Sequence, residues 1–325
     1  MRELIIGPND SGQRADKFLT KAVPSLPPSL LYKYLRMKRI KCNGKRCEIS
    51  TRLQTGDKIQ LYIADEFFLN ADDRHAFLAA PDSVSIVYED ENILLLNKPV
   101  GLVVHEDESN SADTLINRVQ HYLFNKGEYL PETENSFAPA LCNRIDRNTQ
   151  GIVIAAKNAE ALRILNQKIK NRELHKYYLC IVHGKLPKKQ DTLSAFLRKD
   201  SSANQVKVFD RKLPGCKTIL TKYRVLQVRG QFSLVEVELL TGRTHQIRAH
   251  FAHVGHPLLG DNKYGFQKNN QGSGFSHQAL CAYKLQFDFK ESSDSGCLAY
   301  LNGKTFEIQD VPFREEFLAG KFDRI

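Results

Sequence analysis

Seven apolar runs of strand length recur through the chain after its first quarter, at residues 83–88, 93–96, 152–156, 178–182, 218–228, 233–240 and 283–289. Only two stretches between them carry a helical period. Residues 159–170 set Leu162, Leu165 and Ile169 on one face, and residues 113–123 do the same with Leu115, Val119 and Leu123. A doubly wound α/β fold needs helices alternating regularly with strands, and this pattern lacks them. The reading is therefore α+β, with a large mixed, mostly antiparallel sheet. At 325 residues the chain is long enough for two or three domains. Neither of the two glycine-rich phosphate loops, G-x-G-x-x-G and G-x-x-x-x-G-K-[ST], occurs, which argues against ATP or NAD as a partner.

The charge is unevenly spread. The whole chain carries +10, and residues 1–64 alone hold thirteen Lys and Arg against five Asp and Glu. A folded unit with that imbalance has a positive potential suited to phosphate backbones. A solvated lysine-rich surface is the plainer reading, but the order of residues speaks against it. After Pro27 and Pro28, the segment 29–37 reads as a helix burying Leu30, Leu31, Tyr34 and Leu35. Lys33 and Arg36 lie off that face, and Arg39, Lys41, Lys45 and Arg46 follow in and around an Asn43-Gly44 hairpin turn. The stretch 58–63 alternates as a returning strand, and Arg14–Leu19 precedes as an earlier helix.

Helix, basic turn and Asn-Gly hairpin together resemble the S4 RNA-binding domain. The resemblance implies an S4-like unit over 1–64 that grips structured RNA through phosphates and shape, with Lys33, Arg36, Arg39, Lys41, Lys45 and Arg46 as substrate-binding residues. Residues 65–82, broken by Asp65, Glu66, Asp72, Asp73, Arg74 and Pro81, read as a linker, and 83–325 as the larger domain. Seven scattered cysteines without a C-x-x-C pair suit reduced thiols. The first eight residues lack the apolar stretch of a secretory signal, and no run reaches membrane-spanning length. The expectation is a cytoplasmic protein with no membrane partner.

Three polar stretches stand out against the apolar strands: Asn143–Gly151, with Asp146 between Arg144 and Arg147; 176–184, with Lys176, Tyr177 and Tyr178; and 240–250, with Arg243, His245, Ile247, Arg248 and His250, running on to Asp261. An aspartate between two arginines is expected to stay ionised, since nearby positive charge favours the carboxylate. Each also has a plain reading: Asp146 as a loop ion pair with Arg144 or Arg147, Tyr178 as a core aromatic, Arg248 as a surface charge on a helix. His245, His250, His253 and His256 invite a metal reading, yet they lack any familiar ligand spacing, and no metal is expected.

In order, these stretches resemble the signature of the RluA-type pseudouridine synthases. H-R-L-D-R-x-T-S-G stands here as Asn143–Gly151, K-P-x-G as Lys98–Gly101, and K-x-Y as Lys176–Tyr178. T-G-R-x-H-Q-I-R-x-H is complete at Thr241–His250, G-H-P-x-x-G-D follows at Gly255–Asp261, and Q-A-L-x-A-Y at Gln278–Tyr283. Among the departures from the pattern, Asn143 replaces His and Gln150 replaces Ser. The stretch 184–217, rich in Lys and Ser, has no match and no assigned role.

The resemblance implies isomerisation of specific uridines in structured RNA, without any cofactor, by an enzyme expected to act as a monomer. Asp146 would be the nucleophile or base acting on a flipped-out uridine, with Arg248 paired to it and Tyr178 stacked on the uracil. Arg144 and Arg147 would hold flanking phosphates, and Ile247 would line the base site. An S4 unit ahead of such a domain points to large-subunit ribosomal RNA. The alternatives are a synthase acting on tRNA, a non-catalytic RNA-binding protein on a decayed synthase scaffold, and a hydrolase using the histidine cluster.

Overall fold

The computed structural model describes residues 1–68, 74–106, 111–200, 205–265, 274–290 and 292–323. Asp72 and Asp73 of the expected linker lie outside them. The first elements are β1 (Arg2–Ile5), α1 (Ala15–Ala22), α2 (Pro28–Arg36), β2 (Ile40–Cys42), β3 (Lys45–Arg46) and β4 (Lys58–Leu61). Pro28 opens α2, where its fixed φ is already helical and its missing N–H is harmless. Asn43 and Gly44, at φ 52° and 75°, form the β2–β3 turn, whose two positive φ values match the strand twist. The four strands make an antiparallel sheet in the order β1-β4-β2-β3. Phe18, Leu19, Leu31, Leu35, Ile40, Leu53, Ile59 and Leu61 form a core of their own beneath it.

The remainder comprises β5 (Ile86–Glu89), β6 (Ile93–Lys98), α3 (Leu115–Asn125), β7 (Ala140–Leu141), β8 (Gln150–Ala156), α4 (Ala159–Lys170), β9 (Leu174–His183), β10 (Gln190–Asp200), β11 (Gln205–Phe209), β12 (Lys217–Arg229), β13 (Phe232–Leu239), α5 (Gln246–His253), β14 (Leu280–Phe287), β15 (Thr305–Glu307) and α6 (Pro312–Leu318). Nine strands run β11-β10-β12-β13-β9-β14-β8-β6-β5, with β15 on β14 and β7 on β8. Among the described residues only β14 and β8 pair in parallel. The sheet is thus mixed and mostly antiparallel, as the alternation of runs implied.

The central strands are buried on both faces, which is why they read as unbroken apolar runs. Along β8, Ile152 and Ile154 join one core, which α4 covers with Ala161 and Leu165. Val153 and Ala155 join the opposite core, covered by α3 with Leu115, Val119 and Leu123 and by α5 with Ile247 and Phe251. Tyr178 lies on this second face of β9. Where β8 and β14 run in parallel, Gly151 has φ 133°, and a Cβ there would sit 2.4 Å from the Ala282 carbonyl oxygen. Only glycine fits that approach.

Several elements escape the pattern reading. Strands β10 and β11 fall within the unmatched stretch 184–217; β11 is the edge strand and β10 its neighbour, and lysines and exposed positions there dilute the period of two. Helix α5 buries Gln246, Arg248 and His250 together with Ile247, Ala249 and Phe251, so its burial does not follow an amphipathic pattern. Arg248 is therefore not a surface charge. The segment after β4 carries two short 3-10 turns, and its ends are anchored: Phe68 packs into the first core and Phe77 into the α3-side core.

The small unit is also tied to the large sheet. Asp10, 1% exposed, accepts hydrogen bonds from Asn135 Nδ2 (2.8 Å), Ser136 Oγ (2.6 Å) and the Ser136 amide (3.2 Å). Asn9 donates to Glu134 at 2.7 Å and accepts from the Ala159 amide, at the start of α4, at 3.0 Å. Among the described residues no helix is long and apolar enough to cross a membrane.

Candidate active site

Asp146 lies in the loop between β7 and β8, and three devices hold that loop. A turn closes it, the Thr149 amide donating to the Asp146 carbonyl at 3.0 Å. Asn143 bonds with its side chain as a strand would with its backbone: Oδ1 accepts from the Ile154 amide at 2.8 Å, and Nδ2 donates to the Ile152 carbonyl at 3.3 Å. An asparagine can make this paired contact because its amide is donor and acceptor at once. Finally Lys98, at the end of β6 and fully buried, donates to the carbonyls of Pro99 (2.7 Å), Leu102 (2.7 Å) and Arg147 (2.8 Å). Burial pushes its ammonium down to about 7, while the Asp146 charge pulls the other way. Gln150, which also departs from the pattern, reaches Asn97 Oδ1 at 3.4 Å.

Arg248 comes to Asp146 from α5. Its Nη1 donates to Asp146 Oδ2 at 2.9 Å. Its Nε and Nη2 grip Asp261 side-on, at 2.7 and 2.9 Å. Asp261, with no exposed surface, also accepts from the amides of Lys263 and Tyr264 at 2.9 and 3.1 Å. Burial opposes both charges, but each is outweighed: Asp261 and Asp146 hold Arg248 above its ordinary pKa, and Arg248 holds Asp261 below its own. The Tyr264 ring lies 5.3 Å from the Arg248 guanidinium, and its hydroxyl is 2.7 Å from His245 Nδ1. His245, at φ 50°, has its Nε2 4.0 Å from Asp146 Oδ1, and burial pushes its pKa down. Oδ1 itself has no hydrogen bond among the described residues, so one oxygen of Asp146 is fixed and the other faces the cleft.

Tyr178 is 6% exposed and has no hydrogen-bond partner for its hydroxyl among the described residues. Burial raises its pKa well above the ordinary phenol, and the charge of Asp146 adds to the shift. It stays a neutral phenol with an apolar face and a polar tip.

These groups line one cleft of ≈ 670 Å³, within the range of small-ligand sites. Asp146, Tyr178, Arg248, Ile247, Arg144 and Arg147 all border it. The arginine paired with Asp146 is Arg248, not a loop neighbour. Lys33, Arg36, Arg39, Lys45 and Arg46 are exposed on α2 and in or beside the β2–β3 hairpin, away from the cleft lining; Lys41 is half-buried there. Arg39 lies over Tyr34 at 5.5 Å and Lys41 over Tyr62 at 5.3 Å. The four histidines do not converge. His250 Nδ1 lies 2.9 Å from Thr221 Oγ1, His253 reaches Asp210, His256 the His183 carbonyl, and His245 turns to Tyr264. Asp261, Tyr264, His245 and Lys98 take no role from sequence pattern alone. Lys98 opens one recognised motif, Asp261 closes another and His245 lies within a third, which was the available signal.

Residues 92–253 match the family model described as RNA pseudouridylate synthase. An uncharacterised RNA pseudouridine synthase of Mycoplasma genitalium is 33% identical over 318 residues, covering 96% of this chain and 97% of that protein. The ribosomal large subunit pseudouridine synthase C of Salmonella typhi is 30% identical over 296 residues, 89% of each chain. Among solved structures, human RNA pseudouridylate synthase domain containing 4 aligns with a TM-score of 0.55 at 19% identity, covering 72% of this chain and 92% of that one; this likeness concerns the fold.

Proposed function

The chain belongs to the RNA pseudouridine synthase family, and from that premise we propose that it converts uridines of large-subunit ribosomal RNA to pseudouridine, with Asp146 acting on a flipped-out nucleotide. The observation that carries the reading is the ion chain Asp261–Arg248–Asp146, which leaves Asp146 Oδ1 open to a cleft that Tyr178 also lines. A carboxylate held on one oxygen and free on the other is positioned as a nucleophile or base.

The reaction breaks the C1′–N1 bond, turns the base, and joins C5 to C1′ with loss of the C5 proton and protonation of N1. It is a net isomerisation. The uridine leaves the RNA stack first, at a cost of a few kcal/mol recovered in the cleft. Tyr178 supplies a face for the uracil, with its hydroxyl free to take part in proton transfer at C5. Ile247 closes the apolar side. Arg144 and Arg147, exposed at the cleft, hold the flanking phosphates. Residues 1–64 act as an S4-like unit joined through 65–82 to a catalytic unit over 83–325. Lys33, Arg36, Arg39, Lys41, Lys45 and Arg46 grip the RNA backbone from that unit. The choice of ribosomal RNA rests on the substrate in the Salmonella relative's name.

The test is pseudouridine mapping by carbodiimide primer-extension stops in cells carrying wild type or Asp146→Ala. Stops in large-subunit RNA that vanish in the variant are expected. Disappearance from tRNA would move the substrate, and no change in any RNA would overturn the activity.

A further inference from the structure

Lys176 stands two residues before Tyr178 on β9, so the two side chains leave the same face of the strand, with Cα atoms about 7 Å apart. Both line the cleft. Lys176 is half-buried, yet among the described residues its ammonium makes no hydrogen bond and no ion pair. The carboxylates of the ion chain and of β13 each have another partner. Asp146 and Asp261 are held by Arg248. On β13, Glu236 and Glu238 lie opposite Leu179 and Tyr177 and therefore face the other side of the sheet, bound to Lys284 and His175. Burial lowers the Lys176 pKa, with no charged neighbour to offset it. Lysines this far from water are ordinarily paired or reach out to solvent. This one is a donor without an acceptor, beside the aromatic ring of the site.

Resting on the function proposed above, we propose that Lys176 is a catalytic residue that hydrogen-bonds a carbonyl oxygen of the flipped uracil and stabilises the negative charge the base acquires on leaving C1′. A base lying on the Tyr178 ring extends its edge over the neighbouring position of the same strand face. The edge of uracil carries two carbonyl acceptors, and the ammonium carries three donors. When the C1′–N1 bond breaks, the electron pair stays on the base, shared over N1, O2 and O4. The pair returns to C1′ through C5, the C5 proton leaves, and N1 takes up a proton. A fixed cation in a partly dry cleft favours the charged base over the neutral one, whichever way C1′ is held in between.

The experiment uses the full chain and ribosomal RNA transcripts labelled with [5-³H]uridine, reading tritium release under single-turnover conditions and RNA affinity separately. Lys176→Met is expected to slow release about 100-fold or more while RNA affinity stays within about 2-fold. Lys176→Arg should be at least about 10-fold faster than Lys176→Met, since it restores a cationic donor. A thermal unfolding midpoint for Lys176→Met at or above wild type separates this result from misfolding, because the variant removes an unpaired buried charge. A rate equal to wild type would overturn the proposal. So would weakened RNA binding at an unchanged rate, which would make Lys176 a phosphate anchor. No release by wild type, in transcripts where Asp146→Ala is equally silent, would bring down the underlying function as well.

Discussion

Arg248 divides its guanidinium between two carboxylates with different duties: Asp261 is buried and gripped side-on, while Asp146 is touched by one nitrogen and left open. Asp261 thus orients the arginine that orients Asp146. Asp261→Asn is expected to lower the single-turnover rate about 10- to 100-fold, with RNA affinity kept; a change confined to affinity would show that Asp261 serves the RNA surface instead. Asp146, Tyr178 and Arg248 were legible because each sits inside a motif. Asp261 and Tyr264 were not legible as partners, since contacts between distant positions leave no local period. A histidine supplies the pH dependence. His250 is 1% exposed, and burial pushes its pKa down to about 4. Between pH 6.5 and 4 the unfolded chain binds a proton that the folded chain refuses, so stability falls as pH drops through that window, by up to about 3 kcal/mol. His250→Gln, which cannot take up the charge, should flatten that limb in urea titrations at stepped pH.

Elements were legible in proportion to how well burial follows their period. Strands β6, β8 and β9 bury both faces and announced themselves, as did α4, which spans the predicted residues 159–170. Helix α5 gives no periodic signal, because it buries Gln246, Arg248 and His250 for hydrogen bonding alongside Ile247, Ala249 and Phe251. The loop after β6 shows the same economy of polar contacts. Lys98 gathers the Pro99, Leu102 and Arg147 carbonyls onto one ammonium, so the backbone next to Asp146 is fixed from the far side. Lys98→Met would strand three acceptors in a dry site. It is expected to cost about 2–4 kcal/mol of stability and to slow catalysis through the displaced loop. A chemical-denaturation midpoint at the wild-type value would contradict this account.

Across the whole molecule, charge is organised in two places. Beyond the first 64 residues, the stretch 184–217 holds nine Lys and Arg against three Asp and Glu, an excess that the small balance of the rest of the chain had concealed. Hairpin β10–β11 lies in that stretch. It packs Ala195, Leu197 and Val206 against Ala249 of α5, so a second basic surface is built onto the wall of the cleft. The exposed cations of α2 and the turn after it can be tested on the full chain. The triple change Lys33→Glu, Arg36→Glu, Arg39→Glu should weaken RNA binding and reduce the slope of log affinity against log salt, by about one for each phosphate no longer neutralised. An unaltered slope would place the grip elsewhere. Asp10 adds a geometric consequence. Buried, and bonded to Asn135 and Ser136, it fastens the basic unit at a set distance from Asp146. If the basic unit grips RNA as proposed, an enzyme built this way works as a caliper: a uridine is chosen by how far it lies from a rigid RNA feature, and its neighbouring letters need carry little of the address.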